Sequence, residues 1–390
     1  MYNFAIVIIA YNRDKSLKRL LESLEKADYN NQNVTLIISI DYSENKKVLK
    51  VAEEFYWSNG KKRIIRHRNT LGLKKHVLEV GDLTNSFDAI IVLEDDLIVT
   101  NQFYNYSVQA FEEYSSEKSI AGISLYSFKT NPNNRVPFYP SSNGYDNFFL
   151  QYAQSWGQIW WKSEWEIFKK WLSKKDIFQS QYMYPSNLDF WSDHSWLKYH
   201  ILFCIENKKF FVYPIESFTG NFSEPGVHNK FIDSTFQSPL STQNWRKNYN
   251  FSKFEDGVRY DSFFERILTN ENILIDDKYI LGKDIAIDLY GDKKVFEKKY
   301  CLSSQILEYE VLNTYGLQVK PHEMNFLMKI QGEKIFLYNT SNIVGKRYKT
   351  RLDYRYYFGM SDYRMAWSCF KMIFLSLLKS KLNKFLKFKR

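Results

Sequence analysis

The first hundred residues alternate between short apolar runs and segments in which apolar residues recur at helical spacing. The run over residues 4–10 is apolar throughout, which is typical of a strand buried on both faces of a parallel sheet. The clearest helical set is Leu17, Leu20, Leu21 and Leu24. The pattern predicts strands over residues 4–10, 34–40, 63–66 and 89–93 and helices after residue 14, over 45–57 and over 73–80.

Strands that alternate with helices through short links predict an α/β fold with a doubly wound, mostly parallel sheet. Ligands of such sheets bind beyond the carboxyl ends of the strands. The polar residues that follow the predicted strands are Asn12, Arg13, Asp41, Glu94, Asp95 and Asp96. Their convergence at one edge of the sheet predicts a binding site there.

The remainder of the chain is less regular. Aromatic residues make up 18% of the sequence, and several tryptophans fall between residues 156 and 196. We interpret residues 1–250 as one large domain, whose aromatic second half is a candidate to bind a second substrate. Residues 251–364 are interpreted as a small α+β appendage of unassigned role, and residues 365–390 as a basic amphipathic tail.

Glu94, Asp95 and Asp96 are adjacent carboxylates at the end of an apolar strand, so they repel one another. Placing them beside the core is costly unless a cation neutralises them. Hard divalent ions such as Mn²⁺ or Mg²⁺ take carboxylate oxygens together with substrate phosphates and water. The cluster therefore predicts a divalent-metal site for a nucleotide diphosphate, although acidic turns also follow strands for structural reasons alone.

The segment around Glu94-Asp95-Asp96 resembles the metal-binding motif of the N-acetylglucosaminyltransferase I family. Residues 8–13 and 38–41 resemble that family's first two strand ends, and Trp156-Gly157-x-x-Trp160 and residues 190–193 resemble later motifs. The order and rough spacing hold across about residues 4–235. The resemblance implies the GT-A fold and an inverting, metal-dependent transfer of GlcNAc or a related sugar from a UDP donor to a hydroxyl group.

The resemblance also implies roles for single residues. Arg13 would contact the nucleoside or diphosphate, Asp41 would accept a hydrogen bond from uracil, and Asp96 would be the direct metal ligand. Read without the resemblance, Arg13 is an exposed arginine at a helix start and Asp41 a turn-forming aspartate. The full set of expected donor-binding residues is Ala10, Asn12, Arg13, Asp41, Glu94, Asp95, Trp156 and Trp191.

Inverting transfer also needs a general base, because the acceptor hydroxyl loses its proton as it attacks. The family carries two consecutive aspartates after Phe-Trp, and the first is the base; in this chain that position is Ser192. A serine cannot be the base at neutral pH. The base is therefore expected to be Asp193 or, one helical turn earlier, Asp189, while a helix-capping role for Asp193 stays open.

Residues 226–228 resemble the segment near the family's mobile loop. Imidazole is an acceptable Mn²⁺ ligand, so His228 is a candidate to complete the metal shell or to contact the diphosphate. A surface-loop histidine would fit the same sequence. Trp156 and Trp191 are candidates to pack against a sugar ring, and core packing is the alternative for both.

The formal net charge is +10, and seven positive charges lie in the last twenty residues without any acidic residue, which leaves +3 for the rest. A nucleic-acid binder should spread its charge over a face of the folded body, so we expect no nucleic-acid partner. The tail is instead expected to form a helix on an anionic membrane surface, with docking on the protein's own body as the alternative. Because no long apolar span and no disulfide pattern are evident, we expect a cytoplasmic protein on the inner face of the membrane.

Two other classes of function remain open. A catalytically silent glycan-binding module would explain the aromatic residues but not the costly acidic cluster. A membrane-associated scaffold would explain the tail but not the polar residues at the strand ends.

Overall fold

The structure is a computed structural model that describes most of the chain. The described residues are 2–174, 182–222, 234–242, 244, 248–268, 285–294, 298–348, 350–359 and eight separate positions between 364 and 378.

The strands are β1 Phe4–Ala10, β2 Thr35–Ile40, β3 Lys62–Arg66, β4 Ala89–Glu94, β5 Leu97–Val99, β6 Ile120–Ser124, β7 Asn147–Leu150, β8 Gln158–Trp160, β9 Phe210–Pro214, β10 Thr219–Asn221, β11 Arg259–Tyr260, β12 Ile285–Asp288, β13 Tyr300–Ser303, β14 Tyr309–Tyr315 and β15 Ile335–Ile343. The helices are α1 Asp14–Glu25, α2 Lys46–Glu54, α3 Leu73–Gly81, α4 Phe103–Tyr114, α5 Lys162–Leu172, α6 Trp196–Glu206, α7 Met324–Leu327 and α8 Tyr354–Phe358.

Nine of these strands form the main sheet in the order β11-β7-β9-β6-β8-β4-β1-β2-β3. The strands from β4 to β3 run parallel, with helices in the links between them, which confirms the predicted α/β class with a largely parallel sheet. In the second half, the short strand β8 runs antiparallel to both β4 and β6. The sheet reaches as far along the chain as β11, which pairs with β7 beyond residue 250.

The helices cover both faces of the sheet, and strand β1 shows why its sequence is apolar throughout. Its even-numbered residues pack with α1, α2 and α4 in one core. Its odd-numbered residues pack with α3, α5 and α6 in the other core. Because both faces are covered, every position of β1 is buried.

The C-terminal appendage has its own sheet, in the order β12-β13-β15-β14, and a small core around Leu302, Phe326 and Leu337. It packs on the main body, where the Tyr260 hydroxyl donates to Glu323 Oε1 at 2.8 Å. The appendage therefore adjoins the sheet edge formed by β11, on the opposite side from β3.

The tail beyond residue 360 is described only at separate positions, which are helical. Five apolar side chains among them are between 41% and 56% exposed: Trp367, Phe370, Phe374, Leu375 and Leu378. These side chains are about half covered, so both the membrane surface and docking on the protein's own body stay predictions for the tail. Among the described residues, no helix has both the length and the apolar character needed to cross a membrane.

Candidate active site

The acidic cluster lies where β4 ends, next to the end of β1. Glu94 is opposite Ile9 in the parallel register, and the backbone N–H of Asp95 donates to Ile9 O at 3.1 Å. This pairing draws the cluster toward the core, so that Asp95 is 2% exposed and Asp96 8% exposed. The predicted placement of the three carboxylates at a strand end beside the core is therefore present in the fold.

Arg13 joins the cluster from the end of β1. Its Nη1 donates to Asp96 Oδ2 at 2.7 Å, and its Nη2 donates to Asp95 Oδ1. Its side chain is only 27% exposed, which does not fit the alternative of an exposed arginine at a helix start. Burial lowers the pKa of Arg13, but the two carboxylates outweigh burial and hold it above its usual value.

The carboxylates of the cluster differ in their electrostatic state. Burial raises the pKa of Asp95 to about 6, in opposition to the ion pair with Arg13. Burial, followed by the nearby charge of Asp96, also raises the pKa of Glu94, which has a hydrogen bond with Ser155. Asp96 differs from these two residues in having an unpartnered oxygen. Its Oδ2 accepts from Arg13, whereas its Oδ1 is buried and has no hydrogen-bond partner among the described residues.

An orphaned, buried carboxylate oxygen is the chemistry that suits a hard divalent ion. Within the described ranges, no three His, Cys, Asp or Glu side chains converge as a ready-made metal site. A Mg²⁺-type site with one or two carboxylates needs no such group, because substrate phosphates and water supply the remaining ligands. The residues at the end of β4 therefore fit a metal that binds together with a diphosphate. His228, the second candidate ligand, lies outside the described residues.

Asp41 follows β2 and accepts hydrogen bonds from three backbone amides. Its Oδ1 accepts from Tyr42 at 2.8 Å and Leu71 at 2.8 Å, and its Oδ2 accepts from Gly72 at 3.0 Å. These bonds fix the loop that starts α3, as the turn-forming alternative predicts. Oδ2 retains acceptor capacity, so the expected contact with uracil stays a prediction.

Ala10 and Asn12 help to hold these strand ends together. Ala10 is buried and its carbonyl accepts from the backbone N–H of Asp41 at 2.9 Å. Asn12 is exposed and its carbonyl accepts from the side-chain amide of Asn45 at 2.9 Å. The structure thus brings both residues to the same edge as Arg13 and Asp41, and their contact with a donor stays a prediction.

The turn containing Trp156 is connected to the acidic cluster through a two-stranded sheet. Strand β10 pairs with β5, which begins directly after Asp96. Gly157 has a φ of +98°, and a Cβ there would lie 2.8 Å from Thr219 Cγ2, so only glycine lets this turn approach β10. Trp156 is half-buried against Tyr126, with ring centroids 4.7 Å apart, so part of its surface serves packing.

Asp193 lies in a loop before α6 and is 79% exposed. Lys198 Nζ donates to Asp193 Oδ1 at 3.1 Å, and this hydrogen bond, with the lysine's charge, lowers the pKa of Asp193. Ser195 is the residue that caps α6, because its hydroxyl accepts from the Lys198 backbone N–H at 3.3 Å. The helix-capping alternative for Asp193 is therefore wrong.

The same loop touches the donor half of the sheet. Lys74, in the first turn of α3, donates from Nζ to the Asp193 carbonyl at 3.0 Å. The loop that Asp41 fixes leads directly into this turn. Asp193 therefore adjoins the helix start next to the predicted uracil site.

Asp189 and Trp191 occupy the preceding segment. Asp189 is exposed and accepts from the Tyr184 hydroxyl at 2.9 Å. Trp191 is half-buried and its carbonyl accepts from Lys198 Nζ at 3.0 Å.

Sequence reasoning missed Lys198, which orders both Trp191 and Asp193. A usable signal was present, because this lysine stands in the mostly apolar helix α6, and the structure buries its side chain to 5% exposure. A lysine is buried in this way only when partners accept hydrogen bonds from its ammonium group.

The comparison with known proteins gives one family match. Residues 5–180 match the model of glycosyl transferase family 2, which is less than half of the chain. No curated protein matches the chain. The family match supports a glycosyltransferase and agrees with the GT-A architecture. The narrower resemblance to the N-acetylglucosaminyltransferase I family stays a prediction.

Several solved structures are distantly similar to the chain. TarS 1-349 from S. aureus in complex with UDP-GlcNAc has 16% identity and a TM-score of 0.40 over 58% of this chain and 60% of that chain. The mannosyltransferase PcManGT from Pyrobaculum calidifontis, in complex with GDP-Man and Mn²⁺, has 9% identity and a TM-score of 0.32 over 44% and 46%. GalNAc-T7 with UDP, GalNAc and Mn²⁺ has 12% identity and a TM-score of 0.36 over 55% and 43%. The chain spans less than two thirds of each, and these similarities assign it no substrate.

Proposed function

We propose that this chain is an inverting, metal-dependent glycosyltransferase that moves GlcNAc or a related sugar from a UDP donor to a hydroxyl of a glycan or lipid-linked acceptor. The observation that carries the proposal is the cluster at the end of β4, where a buried Asp96 oxygen has no partner among the described residues. The family match over residues 5–180 supports the same reaction class.

Asp96 is proposed to hold Mn²⁺ or Mg²⁺ through Oδ1, with His228 as a candidate further ligand. The bound ion supplies positive charge against the negative charge that develops on the departing diphosphate. Glu94 and Asp95 are proposed to help hold the nucleotide-sugar. Asp95 is itself positioned by the Tyr11 backbone N–H, which donates to its Oδ2 at 3.3 Å.

The donor is proposed to lie across the carboxyl ends of β1, β2 and β4. Asp41 accepts from the uracil ring with its remaining lone pair, and Arg13 binds the diphosphate. Ala10 and Asn12 line the same edge, while Trp156 and Trp191 present their uncovered surfaces to sugar rings.

Asp193 is proposed to accept the proton of the attacking hydroxyl at one of its carboxylate oxygens. Its low pKa keeps it ionised at neutral pH, and Lys198 and the Ser195 cap fix the loop that carries it. Asp189 is the second candidate, since its carboxylate is also exposed.

A donor assay tests the reaction class directly. The protein is incubated with Mn²⁺ and a panel of nucleotide-sugars, and slow hydrolysis without acceptor identifies the donor. UDP together with Mn²⁺ should raise the melting temperature, while either one alone should not. If no nucleotide-sugar is hydrolysed and UDP with Mn²⁺ gives no stabilisation, the chain is a binding module or scaffold instead.

The tail is proposed to hold the enzyme on anionic lipid, where a lipid-linked acceptor is found. Its exposed apolar side chains and the lysines and arginine that follow them are the groups that an interfacial helix uses. Each basic residue near such a surface contributes about 1 kcal/mol, and salt screens this attraction. Deletion of residues 365–390 should abolish co-sedimentation with anionic liposomes without changing donor hydrolysis. Binding that survives the deletion would refute the membrane role.

A further inference from the structure

Arg13 neutralises the same carboxylates that a metal ion would be expected to neutralise. One nitrogen of its guanidinium binds Asp96 and another binds Asp95, so a single permanent cation bridges both buried carboxylates. Arginine suits this task because its planar group presents several donors in a fixed geometry and stays charged. The repulsion between the carboxylates is therefore already offset by the chain itself.

The two oxygens of Asp96 are in different situations. Oδ2 is held by Arg13 at 2.7 Å, and Oδ1 is buried without a partner among the described residues. A divalent ion that approaches Oδ1 meets a carboxylate whose charge is shared with a guanidinium, and that guanidinium repels the ion at close range. Metal binding by the protein alone is therefore opposed by Arg13.

A nucleotide diphosphate changes this balance, because it brings anionic oxygens that can bind both an ion and a guanidinium. We propose that Arg13 is a resident counter-cation that disfavours metal alone and thereby makes metal binding depend on the nucleotide diphosphate. The inference rests on the proposed function for the identity of the nucleotide. By thermodynamic reciprocity, the metal must increase nucleotide affinity by the same factor.

Manganese titrations of the full-length protein, followed by the EPR signal of free Mn²⁺, test the proposal. In the wild-type protein, saturating UDP should tighten Mn²⁺ binding by about tenfold or more, within the usual range of coupling between sites. In Arg13→Gln, Mn²⁺ alone should bind about tenfold more tightly than in wild type, and the effect of UDP should shrink. Arg63→Gln is the matched control, because Arg63 is an exposed arginine on β3, and it should behave as wild type.

A wild-type protein that binds Mn²⁺ equally well with and without UDP would overturn the proposal. So would an Arg13→Gln protein whose affinity for Mn²⁺ alone is unchanged or lower, which is the result expected if Arg13 only fixes the carboxylates in place. If Arg13→Gln does not fold, Arg13→Met decides, because it also removes the charge; its affinity for Mn²⁺ alone should rise, and no rise would count against the proposal. Arg13→Lys keeps a positive charge beside the carboxylates, so its affinity for Mn²⁺ alone should stay close to that of wild type.

The design separates this inference from the proposed function. If UDP with Mn²⁺ does not bind the wild-type protein, the donor assignment fails. The comparison of Mn²⁺ alone between wild type and Arg13→Gln uses no nucleotide, so it still decides whether Arg13 opposes the metal.

Discussion

Two regions of the molecule each place three acidic residues, two of them buried, near one basic side chain. The first is the cluster at the end of β4 with Arg13. The second, which we call the C-terminal cluster, lies where the appendage meets the main body. Its members are Asp261, Glu265, Asp288 and Lys293.

The C-terminal cluster is hydrogen-bonded throughout. Lys293 Nζ donates to Asp261 Oδ2 at 2.6 Å and to the Ile287 carbonyl at 2.6 Å. Asp288 accepts from the Lys293 backbone N–H and from the Ser303 hydroxyl, both at 2.9 Å. Within the described residues, none of its carboxylate oxygens is a buried atom without a partner.

The difference separates a structural cluster from a candidate functional one. Native folds satisfy buried polar atoms, and an exception calls for an explanation such as a missing ion. Charge alone does not make the distinction, because both regions hold acidic residues whose pKa is raised by burial. The orphaned oxygen of Asp96 distinguishes the two clusters. Substitutions in the two clusters should therefore have different consequences.

The largest expected effect is the loss of metal-dependent UDP binding in Asp96→Ala. The fold should persist, because Arg13 keeps Asp95 as its partner and is partly exposed to solvent, so no buried charge is left without a partner. Calorimetric titration with UDP and Mn²⁺ measures the affinity, and Glu22→Ala, an exposed carboxylate on α1, serves as control. Unchanged affinity in Asp96→Ala would show that this residue is not the metal ligand.

A solvated carboxylate outside both clusters should affect the rate and leave donor binding intact. Asp193→Asn keeps an acceptor for Lys198 but loses the base, so transfer should slow by roughly 10²–10⁴ at unchanged donor affinity. Asp189→Asn is the paired variant and should have a much smaller effect. The opposite order in parallel rate assays would make Asp189 the base, and two equally mild effects would exclude both residues.

In the C-terminal cluster, the expected effect is on stability. Lys293→Met leaves Asp261 and Glu265 without their buried cation and should lower the free energy of unfolding by about 3–5 kcal/mol. Urea denaturation measures the loss, and UDP affinity should be retained in the folded fraction. A loss of Mn²⁺-dependent UDP binding with normal stability would reverse the assignment of the two clusters.

The last expected effect is a difference in pH dependence rather than a loss of stability at one pH. Burial raises the pKa of Asp288 from an ordinary value near 4 to about 7 in the folded protein. Between these values the folded state holds a proton that the unfolded state has lost, so stability falls as pH rises, by at most about 1.4 kcal/mol per pH unit. Asp288→Asn lacks this contribution. Unfolding curves of wild type and variant should therefore converge or cross between pH 4 and 7, and a constant difference between them would contradict the assignment.

The sequence was sufficient to predict the first half of the fold. Strands β1, β2 and β4 are covered on both faces, and such strands are predominantly apolar, as residues 4–10 show most clearly. The short strands β8 and β11 could not be predicted, because three and two residues carry no periodic pattern. Their position depends on contacts with distant segments.

The same limit applies to the site. Arg13 and Asp96 both follow predicted strands, so the sequence places them at the same edge of the sheet. Their ion pair depends on the tertiary structure, because the two residues are 83 positions apart in the sequence. The bond between Lys198 and Asp193 likewise depends on how the loop before α6 turns. The sequence therefore predicts which residues assemble, while the partner of each atom comes from the tertiary structure.

The antiparallel strand β8 has a mechanical consequence for the molecule. It is the only strand that joins the parallel set β4-β1-β2-β3 to the rest of the main sheet, within the described residues, and it does so over Gln158–Trp160. On the β6 side the register consists of two residue pairs. Such a narrow seam has few hydrogen bonds, so side-chain packing holds the two halves of the sheet together, and both hydrophobic cores contain residues from either side of the seam. Lys74, on α3 of the parallel half, further ties the loop at Asp193 to the donor side of the molecule.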